Sequence, residues 1–351
     1  MTGAAPPAAT HRRPYDERVR RGQLSPFAGF AIVIAAASLF GTLGPLSRFA
    51  YEAGMEPLAF VGWRALIGAL ATVLFVAWRV RRGAEPLVRW SSLAPRERVL
   101  LAVAATTGFT LNLAMFIAFD LVTIALALLA FYTYPAIVAV VSVGLGRERL
   151  DRPKVVALVL ALAGMIAVIA AQLDPAAGIE FSWLGIALAL SAAVSQAVFV
   201  IISRDGYRSV PTDQAMSVIM LTTVVCAVAL ALLGGNVAAL VYPLAEPSVL
   251  PLLLFTGLFA AAIPSLAFLA GIRLIGGLRA GILMLFEPVV GVALAALLLD
   301  ERLAPVQVLG GVAILAAAVV LQRSAGDEPE LEPPATPATS DARAAGLPGT
   351  P

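Results

Sequence analysis

Ten apolar segments follow one another along this sequence, and they constrain its fold more than any other feature. A helix rises about 1.5 Å per residue, so about 20 residues cross the hydrocarbon core of a bilayer, which is about 30 Å thick. Inside that core the backbone must satisfy its own hydrogen bonds, which favours helices. We therefore predict an all-α integral membrane protein with ten transmembrane helices. The segments are 28–48, 58–78, 99–119, 123–144, 154–172, 182–203, 214–234, 250–270, 277–299 and 305–322.

The composition agrees with a membrane protein and argues against several classes of enzyme. Hydrophobic residues make up 60% of the chain and charged residues 13%, whereas soluble domains average about 45–50% and about 25%. One cysteine, Cys226, cannot form an intrachain disulfide, and one histidine, His11, in a polar arm supplies neither a metal cluster nor a catalytic triad. Because the sequence has no Gly-rich phosphate-binding loop, we expect no ATP-driven pumping. We also expect no cofactor and no enzymatic activity.

The arginines and lysines are concentrated in alternate connections between the apolar segments. If the N-terminus is cytoplasmic, the cytoplasmic segments hold 21 of the 24 basic residues, counting Lys154. The opposite connections hold only Arg48 and Arg302, and Arg64 lies within a span. Such an asymmetry predicts that both termini are cytoplasmic, in a bacterial-type inner membrane. The cytoplasmic segments are 1–27, 79–98, 145–153, 204–213, 271–279 and 323–351.

The two ends of the chain differ from its apolar body. Residues 1–27 form a basic arm, and residues 323–351 are rich in Pro, Ala, Glu and Thr, which predicts a disordered cytoplasmic tail. Attraction to anionic lipid explains short basic arms of this kind. We therefore expect the lipid bilayer as a partner and no nucleic acid.

One motif occurs twice, 153 residues apart. Pro135 stands 13 residues before Glu148, which begins a Glu-Arg-Leu triplet, and Pro288 stands 13 residues before Glu301, which begins another. The repeat divides the apolar region into two five-helix halves, 28–172 and 182–322. Because five is odd, the halves enter the bilayer from opposite sides. Inverted repeats are common in secondary transporters, which hold substrate near the membrane midplane between the halves.

These features resemble the EamA-type transporters of the drug/metabolite transporter superfamily. The resemblance rests on the repeated proline and Glu-Arg-Leu motif, on Trp63-Arg64 in the second helix, and on the arrangement of residues 28–322. The stretch from Phe286 to Val289 is similar to one in amino-acid and metabolite exporters. The resemblance implies a secondary transporter that exports amino acids or related small metabolites by alternating access.

Three alternatives stay open at this stage. The nearest is a transporter of the same superfamily that carries a drug or a nucleoside-type metabolite. The second is an intramembrane receptor or scaffold without transport, which needs neither a central cavity nor an intramembrane glutamate. The third is an intramembrane enzyme, which lacks a pair of catalytic carboxylates or histidines in the spans.

Ionisable residues within the spans are the first candidates for the transport pathway. Glu287 lies about ten residues into the ninth helix, and Pro288 beside it removes a backbone N–H and predicts a kink. An ionised carboxylate there carries a large desolvation cost, so we expect Glu287 to bind and release a coupling proton. Alternatively, a protonated Glu287 only locks helices together. Arg64 could pair with a substrate carboxylate, pair with Glu287, or extend to the headgroups.

Polar and aromatic residues complete the candidate pathway. Asn112 and Gln196 can hydrogen-bond either to a substrate or across helices. Tyr132 and Tyr134 lie around Pro135, a second predicted kink, and Trp63 adjoins Arg64. These rings could line a cavity, although anchoring at the membrane interface is the alternative.

Overall fold

The computed structural model describes residues 26–83, 86–146, 150–171, 182–299 and 304–326. Within these residues every regular element is helical, and ten helices are long and apolar enough to cross a membrane. This agrees with the predicted fold class, and we number these helices as spans 1 to 10. Nearly all of the predicted arm and of the predicted tail lies outside the described residues. So do His11, Glu148 and Glu301.

Several spans are interrupted, so the structure contains more helices than spans. In the first half the spans are 1 (Pro26–Phe40 and Leu43–Glu52), 2 (Pro57–Arg81), 3 (Pro95–Leu121), 4 (Ile124–Phe131 and Tyr134–Gly144) and 5 (Arg152–Ala170). In the second they are 6 (Trp183–Asp205), 7 (Thr212–Leu233), 8 (Leu250–Gly257, a π-helical segment Leu258–Ala262, and Ile263–Ile275), 9 (Gly277–Met284 and Glu287–Leu299) and 10 (Pro305–Gly326). Three short helices connect spans: Trp90–Ser92, Val237–Ala245 and Pro247–Val249.

Prolines and short polar side chains mark where the spans begin. Pro57 and Pro95 occupy the first turn of spans 2 and 3, where a proline's missing N–H has no helical partner to lose. The side chains of Thr123 and Ser182 accept hydrogen bonds from backbone N–H groups in the first turns of spans 4 and 6. Such caps satisfy donors that the helix itself leaves unpaired.

Spans 4 and 9 are interrupted at equivalent points of the repeat. Tyr134 begins the second helix of span 4, and Glu287, 153 residues later, begins the second helix of span 9. Pro135 and Pro288 are the second residues of these helices. Because neither proline can donate to the preceding turn, the α-helix restarts at each of them. Two half-helices therefore begin inside the bundle.

Each span packs against a span of the other half. Span 2 packs on span 7, span 4 on span 9 and span 5 on span 10, while spans 1 and 3 pack on spans 8 and 6. If each span is replaced by its counterpart in the other half, the same set of packed pairs results. This is what two structural repeats are expected to show. Spans 5 and 10 cross closely at Gly164 and Gly310, where a Cβ atom on either glycine would lie 2.5 Å from the other's carbonyl oxygen.

Candidate functional site

A cavity of about 150 Å³ lies between the two halves. Spans 1 to 4 of the first half and spans 6 to 9 of the second half line it, whereas none of its lining residues in the described part of the chain comes from spans 5 or 10. Five of the seven predicted pathway residues are among its lining residues. These are Arg64, Asn112, Tyr134, Gln196 and Glu287.

Arg64 is buried and held in place by three groups. Its Nη2 atom donates to the Oδ1 atom of Asn112, and its Nη1 atom donates to the backbone oxygen of Ala260 at 3.2 Å. The guanidinium carbon lies 4.6 Å from the centre of the Phe116 ring, within the range of a cation–π interaction. Only 5% of the residue is exposed. Arg64 therefore does not extend to the headgroups, which was one of the predicted alternatives.

The orientation of the Asn112 amide is fixed by a second hydrogen bond. Its Nδ2 atom donates to the backbone oxygen of Gly108 at 2.8 Å, one turn earlier in span 3. The amide oxygen is therefore the atom that faces Arg64, and it accepts from the guanidinium. Asn112 lines the cavity and also positions the arginine.

Glu287 lies at the start of the second half-helix of span 9 and lines the same cavity. The N-terminus of a helix carries a partial positive charge, which favours a carboxylate at this place. Among the described residues, Glu287 is the single acidic residue of the cavity lining. Arg64 and Glu287 face the same cavity without forming an ion pair with each other. Among the described residues, no group of three or more His, Cys, Asp or Glu could hold a metal ion.

Tyr132 and Tyr134, at the interruption of span 4, lie within electrostatic reach of the Glu287 carboxylate. Tyr134 lines the cavity, and its hydroxyl donates to the backbone oxygen of Gly281 in span 9 at 3.3 Å. Tyr132 is fully buried behind the lining. Its hydroxyl lies close to the Glu287 carboxylate, although no group among the described residues completes a well-aligned hydrogen bond with it.

Trp63 lies outside the cavity lining, although the sequence suggested it for the pathway. Its indole Nε1 donates to the backbone oxygen of Leu240 at 2.7 Å. Leu240 belongs to the short helix Val237–Ala245, which the sequence analysis did not predict because nine residues are too few to form a span. Trp63 therefore attaches this short helix to span 2.

Most of the cavity wall is apolar. Aromatic rings and methionine side chains surround the polar groups, and they come from seven spans. Methionine adapts its shape to apolar ligands, and aromatic rings present flat apolar faces. The rings are Phe40, Phe116, Phe119, Phe131, Phe199 and Phe268, and the methionines are Met115, Met216, Met220 and Met284.

The halves are also joined by polar contacts at both ends of the span 2 and span 7 pair. At one end, the 237–245 helix and Asn236 contact the start of span 2: Asn236 Nδ2 donates to Glu56 Oε2 at 2.6 Å, and the Tyr242 hydroxyl donates to the Ala53 carbonyl. We call these the 236–242 contacts. At the other end, the side chain of Gln214 accepts from Val88 N at 3.0 Å and donates to Val88 O at 2.6 Å. We call these the Gln214 contacts.

Comparisons with known proteins agree with this architecture. The model of the EamA-like transporter family matches residues 27–170 and 183–323, which coincide with the two halves. A crystal structure of a protein that is 19% identical in sequence aligns with a TM-score of 0.64, over 85% of this chain and 98% of the other. At that identity the similarity shows a shared fold. A search of curated proteins gives no match.

Proposed function

Since this chain belongs to the EamA-like transporter family, a family of membrane transporters of small molecules, we propose that it exports amino acids or closely related zwitterionic metabolites. One observation carries the proposal: Arg64 and Glu287 line one small cavity and are not paired with each other. Buried charges are stable only when they are paired or hydrogen-bonded. A zwitterion supplies a carboxylate for Arg64 and an ammonium group for Glu287.

The guanidinium retains donors for such a substrate. An arginine carries five N–H donors, and Ala260 and Asn112 occupy one each. Charge-assisted hydrogen bonds to a carboxylate are the strongest that an arginine makes. We therefore assign Arg64 to the acidic end of the substrate and Glu287 to its basic end.

The rest of the lining favours an apolar side chain of modest size. Phenylalanine and methionine side chains dominate the wall, and the cavity volume is about 150 Å³. Pockets for drug-sized ligands are typically about 300–1,000 Å³. The size therefore supports a small metabolite over a drug, the nearest alternative. Asn112 and Gln196 leave a nucleoside-type substrate as the second candidate, since their amides can bind a base.

Glu287 also supports coupling to protons. Its carboxylate pairs with the substrate ammonium only when it is ionised, so a bound proton and a bound substrate exclude each other at this site. Exclusion of this kind produces antiport: substrate leaves in one facing state, and a proton binds Glu287 and returns in the other. The half-helices of spans 4 and 9 meet at this site, an arrangement common in alternating-access transporters.

Transport by purified protein in liposomes tests the proposal. We compare an amino acid that has an apolar side chain with its carboxamide, which lacks the carboxylate, and its N-acetyl derivative, which lacks the ammonium group. The wild type should transport the amino acid best. Arg64→Gln should abolish the preference over the carboxamide, and Glu287→Gln the preference over the N-acetyl derivative. Arg48→Gln, a change outside the cavity lining, is the control.

Two outcomes would contradict the proposal. Equal transport of all three compounds by the wild type would show that the charges do not select the substrate. Transport of nucleosides with no transport of any amino acid would favour the second candidate.

A further inference from the structure

Span 8 changes its helical geometry next to the cavity. Its first helix ends at Gly257, the segment Leu258–Ala262 is π-helical, and the α-helix resumes at Ile263. Single π-helical turns within α-helices occur frequently at functional sites. Pro264 follows immediately and lies at the start of the resumed helix.

Pro264 has a consequence for one particular carbonyl group. A proline has no N–H, so Pro264 donates to neither carbonyl of the preceding turn. These are Ala260, four residues earlier as in an α-helix, and Phe259, five residues earlier as in the π-helical bond from Ile263 N to Leu258 O. Of the two, the Ala260 carbonyl accepts from Nη1 of Arg64, at 3.2 Å, across the boundary between the two halves.

The close approach of spans 2 and 8 depends on a glycine at the edge of the π-helical segment. A Cβ atom at Gly257 would lie 2.6 Å from the Ile67 side chain and 3.2 Å from the backbone oxygen of Arg64. Contacts this short require the neighbour to shift. The missing side chain at position 257 therefore lets the backbone of span 8 reach the guanidinium.

Two acceptors thus define the plane of the guanidinium. Ala260 of the second half accepts from Nη1, and Asn112 of the first half accepts from Nη2. The Phe116 ring lies against the guanidinium, and Nε has no hydrogen-bond partner within the described residues. Removal of either acceptor would let the Arg64 guanidinium rotate at the end of its long side chain.

We propose that Pro264 is a positioning residue for substrate recognition: it frees the Ala260 carbonyl to orient Arg64 toward the acidic group of the substrate. The inference rests on the proposed function, because it takes Arg64 as the anion-binding group. Pro264 itself acts through Ala260 and contacts no substrate.

The test is Pro264→Ala, which restores an N–H at position 264. An α-helical turn directs this N–H to the Ala260 carbonyl, where it competes with Arg64. Loss of a hydrogen bond to a charged group typically weakens binding about tenfold or more. We expect the apparent KM for the amino acid to rise by about that factor, with the maximal rate and the apparent KM for the carboxamide almost unchanged. Pro251→Ala is the control, because Pro251 lies in the first turn of the same span, where no helical acceptor depends on it.

A structural role alone would change both substrates together. If Pro264→Ala raises both apparent KM values equally, or behaves like Pro251→Ala, the inference is wrong. If Pro264→Ala does not fold, Pro264→Val restores the same N–H with three side-chain carbons, as proline has, and takes its place. Failure of the proposed function looks different: Arg64→Gln would then keep the wild-type preference for the amino acid over the carboxamide.

Discussion

Gly41 of span 1 packs directly against the backbone of Glu287 in span 9. A Cβ atom at position 41 would lie 2.7 Å from the Glu287 carbonyl oxygen and 3.3 Å from the Val290 side chain. Span 1 is itself interrupted at this point, between Phe40 and Leu43. The interruption of one span therefore supports the start of the half-helix that carries the cavity carboxylate.

The contact predicts the effect of a single methyl group. Gly41→Ala must separate spans 1 and 9 or shift the half-helix, and overpacking of this kind costs about 1–3 kcal/mol. We expect a lower midpoint of thermal unfolding in detergent and reduced transport. Gly144→Ala is the matched control, because a Cβ atom there meets nothing within 4 Å. Equal unfolding midpoints for the two variants would show that the packing at Gly41 is loose.

A second prediction separates a coupling role of Glu287 from a packing role. Glu287→Gln keeps the shape of the side chain and most of its hydrogen-bonding capacity but cannot bind and release a proton. We expect it to fold normally, to lose flux driven by a pH gradient, and to retain slow exchange of substrate across liposomes at equal pH. Asp120→Asn, which removes an exposed carboxylate at the end of span 3, should transport like the wild type. Undiminished pH-driven flux in Glu287→Gln would show that the Glu287 carboxylate has a packing role and does not couple protons to transport.

The sequence predicted the spans well because lipid imposes one dominant rule on the backbone. Each run of about 20 apolar residues has to form a helix, and ten such helices are present in the part of the chain that the structure describes. The 237–245 helix escaped prediction because it is short and follows span 7 after two glycines, Gly234 and Gly235. The π-helical segment of span 8 also escaped, since its residues Leu258–Ala262 are as apolar as their neighbours.

The polar residues of the site were predictable because they interrupt otherwise apolar sequence. Arg64, Asn112 and Glu287 stand out in apolar sequence, because burial of such groups is costly unless they have partners. Their partners were not predictable. The Ala260 carbonyl and the Phe116 ring reach Arg64 only through the packing of spans 8 and 3 on span 2, and no local pattern encodes that packing.

A third prediction concerns the orientation in the membrane, which follows from the arginine distribution. In a background with Cys226→Ser, single cysteines at Glu52 and Glu246 should react with an impermeant thiol reagent added outside cells. Cysteines at Arg89 and Arg208 should react only after the membrane is opened. All four positions are exposed, so access does not depend on burial; position 174, a further expected outer site, lies outside the described residues. Labelling from outside at position 208, together with no labelling at position 246, would show that the orientation in the membrane is the reverse of the predicted one.

The last prediction concerns the contacts that join the halves at the two ends of spans 2 and 7. Alternating access requires the cavity to open at one end while the other end stays closed, so the 236–242 contacts and the Gln214 contacts should favour opposite facing states. A neutral hydrogen bond contributes about 0.5–1.5 kcal/mol, and one to a carboxylate such as that of Glu56 contributes about 1.5–3 kcal/mol. Losing two bonds therefore shifts such an equilibrium by about tenfold or more. A cysteine in place of Ser265, a cavity-lining residue, reports the facing state through its reaction rate with impermeant reagents. We expect Asn236→Ala with Tyr242→Phe to increase labelling from the side of the 237–245 helix, and Gln214→Ala to decrease it.

Matched controls for this experiment lie next to the same contacts. The Ser248 hydroxyl donates to Glu246 and the Ser92 hydroxyl to Arg89, so both bonds stay within one connection and do not join the halves. Ser248→Ala and Ser92→Ala should therefore leave the labelling rate at position 265 unchanged. The same direction of change for the Asn236/Tyr242 and Gln214 variants would contradict opposing roles, because contacts that favour opposite states cannot both hold the cavity closed to the same side.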